Sequence, residues 1–187
     1  MKKVLALITA LLPMLACAQY FELTPDGFVN AQDTTKRFVV IQMDGSQEEL
    51  YNKAKTAITT MWNSPKDVMS YNEPDVIVVN GFTNDLYVKN FGIKSYLGMH
   101  YRLQFHFKDG KIRIDAPCAD KAESGNGKGV LYFCRGGGQS MLGIIYVFDK
   151  KGKLKQKDFK AQVENYFDTL ITALIEKMKS GGSIEDW

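Results

Sequence analysis

Histidine and cysteine are the scarcest chemistry-bearing residues of this 187-residue chain, and their spacing restricts what they can do. His100 and His106 stand six residues apart in an alternating stretch, about 20 Å at the rise of a strand, too far to share one metal ion. No cysteine or carboxylate recurs at ligand spacing around either, so neither a metal site nor a cofactor is expected. Gly138-Gln139-Ser140-Met141-Leu142 begins like a nucleophile elbow, but Leu142 stands where the second glycine belongs. Gly127-Lys128-Gly129 lacks the Ser or Thr of a phosphate loop, and Ala122 replaces its first glycine. Both read as glycine turns. Cys118 or Cys134 could be drawn with His106 as a nucleophile pair, but nothing local supports it.

A cluster of cations is more informative. Gly98 to Pro117 reads GMHYRLQFHFKDGKIRIDAP. Tyr101, Leu103, Phe105 and Phe107 alternate with Arg102, Gln104, His106 and Lys108, and Ile112 and Ile114 with Arg113 and Asp115, the period of two strands with one buried face. Asp109-Gly110 between them predicts a tight hairpin turn. That register sets Lys108 opposite Lys111, His106 opposite Arg113 and Gln104 opposite Asp115 on the polar side. Arg102, Gln104, His106, Lys108, Lys111 and Arg113 thus form a candidate surface for an anionic partner: a phosphate, the uronate of an anionic glycan, or a protein carboxylate. Lys150 to Lys160 forms a second basic cluster.

The elements that must position these residues are readable in part. Residues 1–18 have the layout of a signal peptide: Lys2 and Lys3, an apolar run from Val4 to Leu15, and the small-residue site Ala16-Cys17-Ala18. Export to the periplasm or medium is the expectation. Met14-Leu15-Ala16-Cys17 also resembles a lipobox, so Cys17 is a candidate for lipidation and membrane contact is expected only in that case. In an oxidising compartment Cys118 and Cys134 would pair by default, which stabilises by about 3 kcal/mol on the loop-entropy argument. Without Lys2 and Lys3 the 24 basic residues become 22 against 21 acidic, a net charge of +1, which gives no support for a nucleic-acid partner.

Residues 19–36 read as an irregular leader and 37–180 as one domain. Phe38 to Met43 is a β-branched strand candidate. Ser46-Gln47-Glu48-Glu49 is a capping box, and Leu50, Ala54, Ala57, Ile58 and Met61 follow at helical spacing. Strands are predicted at Val68 to Tyr71 and Val76 to Phe82, with a longer connection from Asn84 to Leu97. Residues 119–140 form a glycine-rich insertion holding a short strand at Val130 to Arg135, and Leu142 to Asp149 adds one more strand. Phe159, Val163, Tyr166, Phe167, Leu170, Leu174 and Met178 make the apolar stripe of a long last helix that Gly181 is placed to end. An acidic tail, 181–187, follows.

The order β, α, meandering strands, α resembles an exported bacterial family, domain of unknown function 4468 (DUF4468), described as having a TBP-like fold. The resemblance rests on EELYNKAKTAITTMW (48–62), VIVVNGF (76–82), FHFKDGKIRI (105–114) and VENYFDTLITALIEKM (163–178) with the ending EDW. These are structural motifs and imply no site residues. Ala57-Ile58 stands where the family commonly has Trp, a packing difference. The resemblance implies an α+β domain: an antiparallel sheet of about five or six strands, two helices on one face, and the other face open and curved. That open face is where a ligand is expected, in a module that is more binding protein than enzyme.

Overall fold

The computed structural model describes residues 19–62, 64, 68–90, 92–125, 127, 129–137 and 143–180. The signal segment with Cys17, the turn at Ser140, Gly181 and the acidic tail lie outside the described residues. Strands β1 (Phe21–Thr24), β2 (Gly27–Asn30) and β3 (Phe38–Gln42) precede helix α1 (Gln47–Met61). Then come β4 (Met69–Asn72), β5 (Val76–Asn90), β6 (Ile93–Lys108), β7 (Lys111–Asp115), β8 (Lys121–Glu123), β9 (Val130–Gly136), β10 (Ile144–Asp149) and helix α2 (Lys157–Lys179).

The central hairpin forms as its alternation dictates. Phe105 faces Ile114 and Phe107 faces Ile112, all four buried, while His106 faces Arg113 and Lys108 faces Lys111 on the other side. Gly110 takes a φ of 73°, the left-handed value that the turn requires. The Ser46 side chain accepts from the Glu49 N–H at 3.3 Å, and Glu49 Oε2 accepts from the Ser46 N–H at 2.8 Å, so the capping box starts α1 as expected. Helix α1 buries Leu50, Tyr51, Ala54, Ala57 and Ile58. Helix α2 buries Phe159, Val163, Phe167, Ile171, Leu174, Ile175 and Met178, while Tyr166 and Leu170 of the expected stripe are only half-buried. Both helices pack on the same side of the sheet, α1 on β5, β6 and β7, and α2 on β5 and β10. The core is the layer between them.

Four expectations need correction. Residues 19–36 are not irregular throughout, because β1 and β2 pair as an antiparallel hairpin. Phe21, Leu23, Phe28 and Val29 are buried, and the Phe28 ring meets Phe167 edge-on at 5.2 Å. Backbone N–H groups of Tyr20 and Leu23 donate to Asp168 Oδ1 and Glu164 Oε1, both at 2.8 Å, which ties the hairpin to α2. Second, the connection from Asn84 to Leu97 is largely strand: β5 and β6 run on beyond a bulge between Thr83 and Leu86. Third, the large sheet has eight strands, in the order β10-β9-β8-β6-β5-β4, with β7 and then β3 branching from β6. It is also mixed, since β10 pairs with β9 in parallel. Fourth, the bridge expected between Cys118 and Cys134 is not formed, and both are free, exposed thiols. The Phe133 N–H to the Asp120 carbonyl (2.9 Å) continues the β8–β9 register in which Cys134 falls opposite Ala119, one residue out of step with Cys118.

Candidate ligand-binding face

Because side chains of a strand alternate, the strands that bury Ile77, Val79, Tyr101, Leu103 and Phe105 under the helices present Val78, Asn80, Phe82, His100, Arg102, Gln104 and His106 on the opposite face. Neither helix covers that side. The sheet branches there: β6 pairs with β7 from Phe105 to Lys108, and with Cys118 and Glu123 at Arg102 and Gly98.

The sequence-predicted residues divide into two groups. Arg102, Gln104, His106 and Arg113 are brought together in one chain of contacts that ends on Asp115. Arg102 Nη2 donates to Gln104 Oε1 at 3.2 Å, and Arg113 Nε donates to Asp115 Oδ1 at 2.7 Å. His106 Nε2 lies 3.0 Å from both Gln104 Nε2 and Asp115 Oδ2. One ring nitrogen carries at most one proton, so it either accepts from the amide or donates to the carboxylate. Arg113 also lies over the Phe38 ring at 4.3 Å. Asp115 therefore offsets one of the positive charges expected of this stretch, at Arg113. Lys108 and Lys111 stay exposed, opposite each other beside the turn, and no ion pair joins them to a carboxylate among the described residues.

The opposite end of the face holds what sequence reasoning missed. Phe82 is 55% exposed and pairs across the strands with His100, the two rings 4.7 Å apart. A Cβ on Gly98 would come within 2.7 Å of the Phe82 ring, so the ring lies over the space that glycine leaves. On the helix side of the same strands Tyr101 lies across Gly81 in the same manner and receives the Tyr166 hydroxyl proton at 2.9 Å. Burial pushes both phenols up, so they serve as neutral packing groups. A depression of about 460 Å³ lies on one side of Phe82 and His100, with Arg102, Cys118 and Asp120 at its wall. Another, of about 800 Å³, lies on the other side, towards Tyr96, Glu123 and Asp85.

No family model matches the chain. No curated protein matches it either. Among solved structures it superposes on a DUF4468 family protein from Bacteroides ovatus with a TM-score of 0.53, over 75% of this chain and 84% of that one, at 11% identity. The chain has the fold of a DUF4468 protein. At that identity the likeness shows fold alone. A TBP-like protein from Parabacteroides distasonis aligns over 76% of this chain and 90% of its own at 12% identity, with a TM-score of 0.48. In the DUF4468 fold as this chain builds it, the period of two that locates Arg102 and His106 also carries back along β6 to His100 and Tyr96. Phe82 has a weaker signal, since it closes an apolar run, VIVVNGF, that gives no hint which member faces outward.

Proposed function

We propose that the protein is an exported, non-enzymatic binding module of the cell envelope that holds an anionic glycan on the uncovered face of its sheet. The observation that carries this reading is the exposed Phe82–His100 ring pair between two depressions, with Arg102 beside it, on the side that neither α1 nor α2 covers. A sugar ring offers apolar C–H faces to an aromatic platform, and a uronate carboxylate offers two oxygens to a guanidinium. Among the described residues the Arg102 guanidinium makes one hydrogen bond, to Gln104, which leaves donors for a ligand. Isothermal titration with polygalacturonate, and with neutral dextran as control, tests it. Phe82→Ala and Arg102→Glu should each weaken polygalacturonate binding at least tenfold; affinity that both variants leave unchanged would refute this face.

A second reading has one observation in its favour. Cys118 is a free, exposed thiol in the wall of the depression that holds His100, an arrangement open to an envelope enzyme with a cysteine nucleophile. Cys118→Ser separates the two, since it would leave glycan affinity intact and abolish covalent chemistry. Lipidation of Cys17 would add an anchor without altering either site, and detergent partitioning of Cys17→Ala reports it.

A further inference from the structure

We propose that the far end of the β5–β6 hairpin is a docking surface for an anionic lipid bilayer. Leu86 and Leu97 are the last pair of the hairpin that is buried on both strands. Beyond them the two strands run on through Tyr87 opposite Tyr96, Val88 opposite Ser95, and Lys89 opposite Lys94. Val88 still leans on the core, but Ile93 is 71% exposed and Tyr96 59%.

The charge on this tip lacks a carboxylate partner among the described residues. Lys89 and Lys94 sit directly opposite each other, with their ammonium groups 5.9 Å and 4.3 Å from the centre of the Tyr87 ring. No ion pair joins either to a carboxylate among the described residues. Like charges opposed across a ladder repel, and an external anion relieves the repulsion. The start of α2 adds Lys155 and Lys157 across a depression of about 570 Å³ that Tyr87 and Lys89 also line. The acidic groups that face this region are Asp158, in the same depression, Asp149, which holds Lys155 at 3.4 Å, and on the Tyr96 side Asp85 and Glu123, the latter paired with Lys121. Among the described residues none of Lys89, Lys94 and Lys157 is in an ion pair with these acids.

An acidic polymer would satisfy those lysines and leave Ile93 in water. A bilayer satisfies both, because an exposed aliphatic side chain enters the acyl boundary, tyrosines lie at the headgroup level and lysines reach the anionic phosphates. Such a contact needs no lipid on Cys17, contrary to the expectation drawn from the sequence.

The test places a reporter at the tip of the full chain, so that insertion of residues 1–18 does not register. Ile93→Trp is mixed with vesicles of phosphatidylcholine, with or without about one-third phosphatidylglycerol, that carry brominated acyl chains; wild type supplies the background of Trp62 and Trp187. The expected result is a blue shift and quenching confined to the anionic vesicles, with affinity reduced about 30-fold when Lys89→Gln and Lys94→Gln are added. Circular dichroism of the variants confirms that the fold is kept. Quenching that is absent, equal on neutral vesicles or indifferent to the two lysines would overturn the proposal, as would a response to soluble polygalacturonate in place of vesicles. Failure on vesicles leaves the sheet-face reading standing, since Phe82 and Arg102 lie outside the tip, whereas a tip response to polygalacturonate would count against that reading too.

Discussion

At the scale of single residues, two glycines on opposite faces of the same strand pair separate core from surface. A methyl on Gly81 would fall within the ring of Tyr101, which is buried and held by Tyr166. A methyl on Gly98 meets only the edge of Phe82, whose exposed ring can swing away. Gly81→Ala is expected to destabilise by about 2 kcal/mol and Gly98→Ala by less than about 1 kcal/mol in urea melts. Gly98→Ala should nonetheless weaken glycan binding, because it moves the platform. Asp115 makes the converse case: Asp115→Asn frees Arg113 and His106 from their carboxylate and should raise affinity for polygalacturonate up to about fivefold by titration calorimetry. The cationic residues were legible in the sequence because alternation sorts them to one face. Their partial neutralisation was not, because alternation does not show that Arg113 and His106 both reach the one Asp115 carboxylate.

At the scale of elements, what was legible is what local chemistry decides. The capping box of α1 and the Asp-Gly hairpin each need only a few adjacent residues, and both form as read. Ser46→Ala should cost about 1 kcal/mol. Glu49 carries a pH dependence: the Ser46 backbone N–H, and then its hydroxyl, hold the Glu49 carboxyl below the ordinary glutamate range. A group whose folded value is depressed adds stability above its unfolded value and loses it as the pH falls through the folded one. Urea midpoints from about pH 6 to about pH 3 should therefore fall less steeply in Glu49→Gln than in wild type. The β1–β2 hairpin, the outer half of β5–β6 and the direction of β10 were not legible. The first is held by Glu164 and Asp168, more than a hundred positions away. Past Leu86 the second exposes residues on both faces, so alternation fades. An apolar run such as IIYVFD marks a strand but carries no sign of its direction.

At the scale of the whole molecule, helices on one side leave a sheet whose other side ends in an aromatic platform and whose longest hairpin ends in lysines and an isoleucine. The two thiols stand apart from both packing and the tip. Cys118 and Cys134 should each react with a maleimide in the native, unreduced protein, and intact mass should show both adducts. One measurement reaches the central claim directly, that the ligand site is the uncovered face. In a titration of isotope-labelled protein with oligogalacturonate, followed by backbone amide chemical shifts, the account predicts changes at Asn80, Phe82, His100, Arg102 and Cys118, with α1 and α2 unmoved. Shifts centred on the helices, or none at saturating ligand, would contradict it.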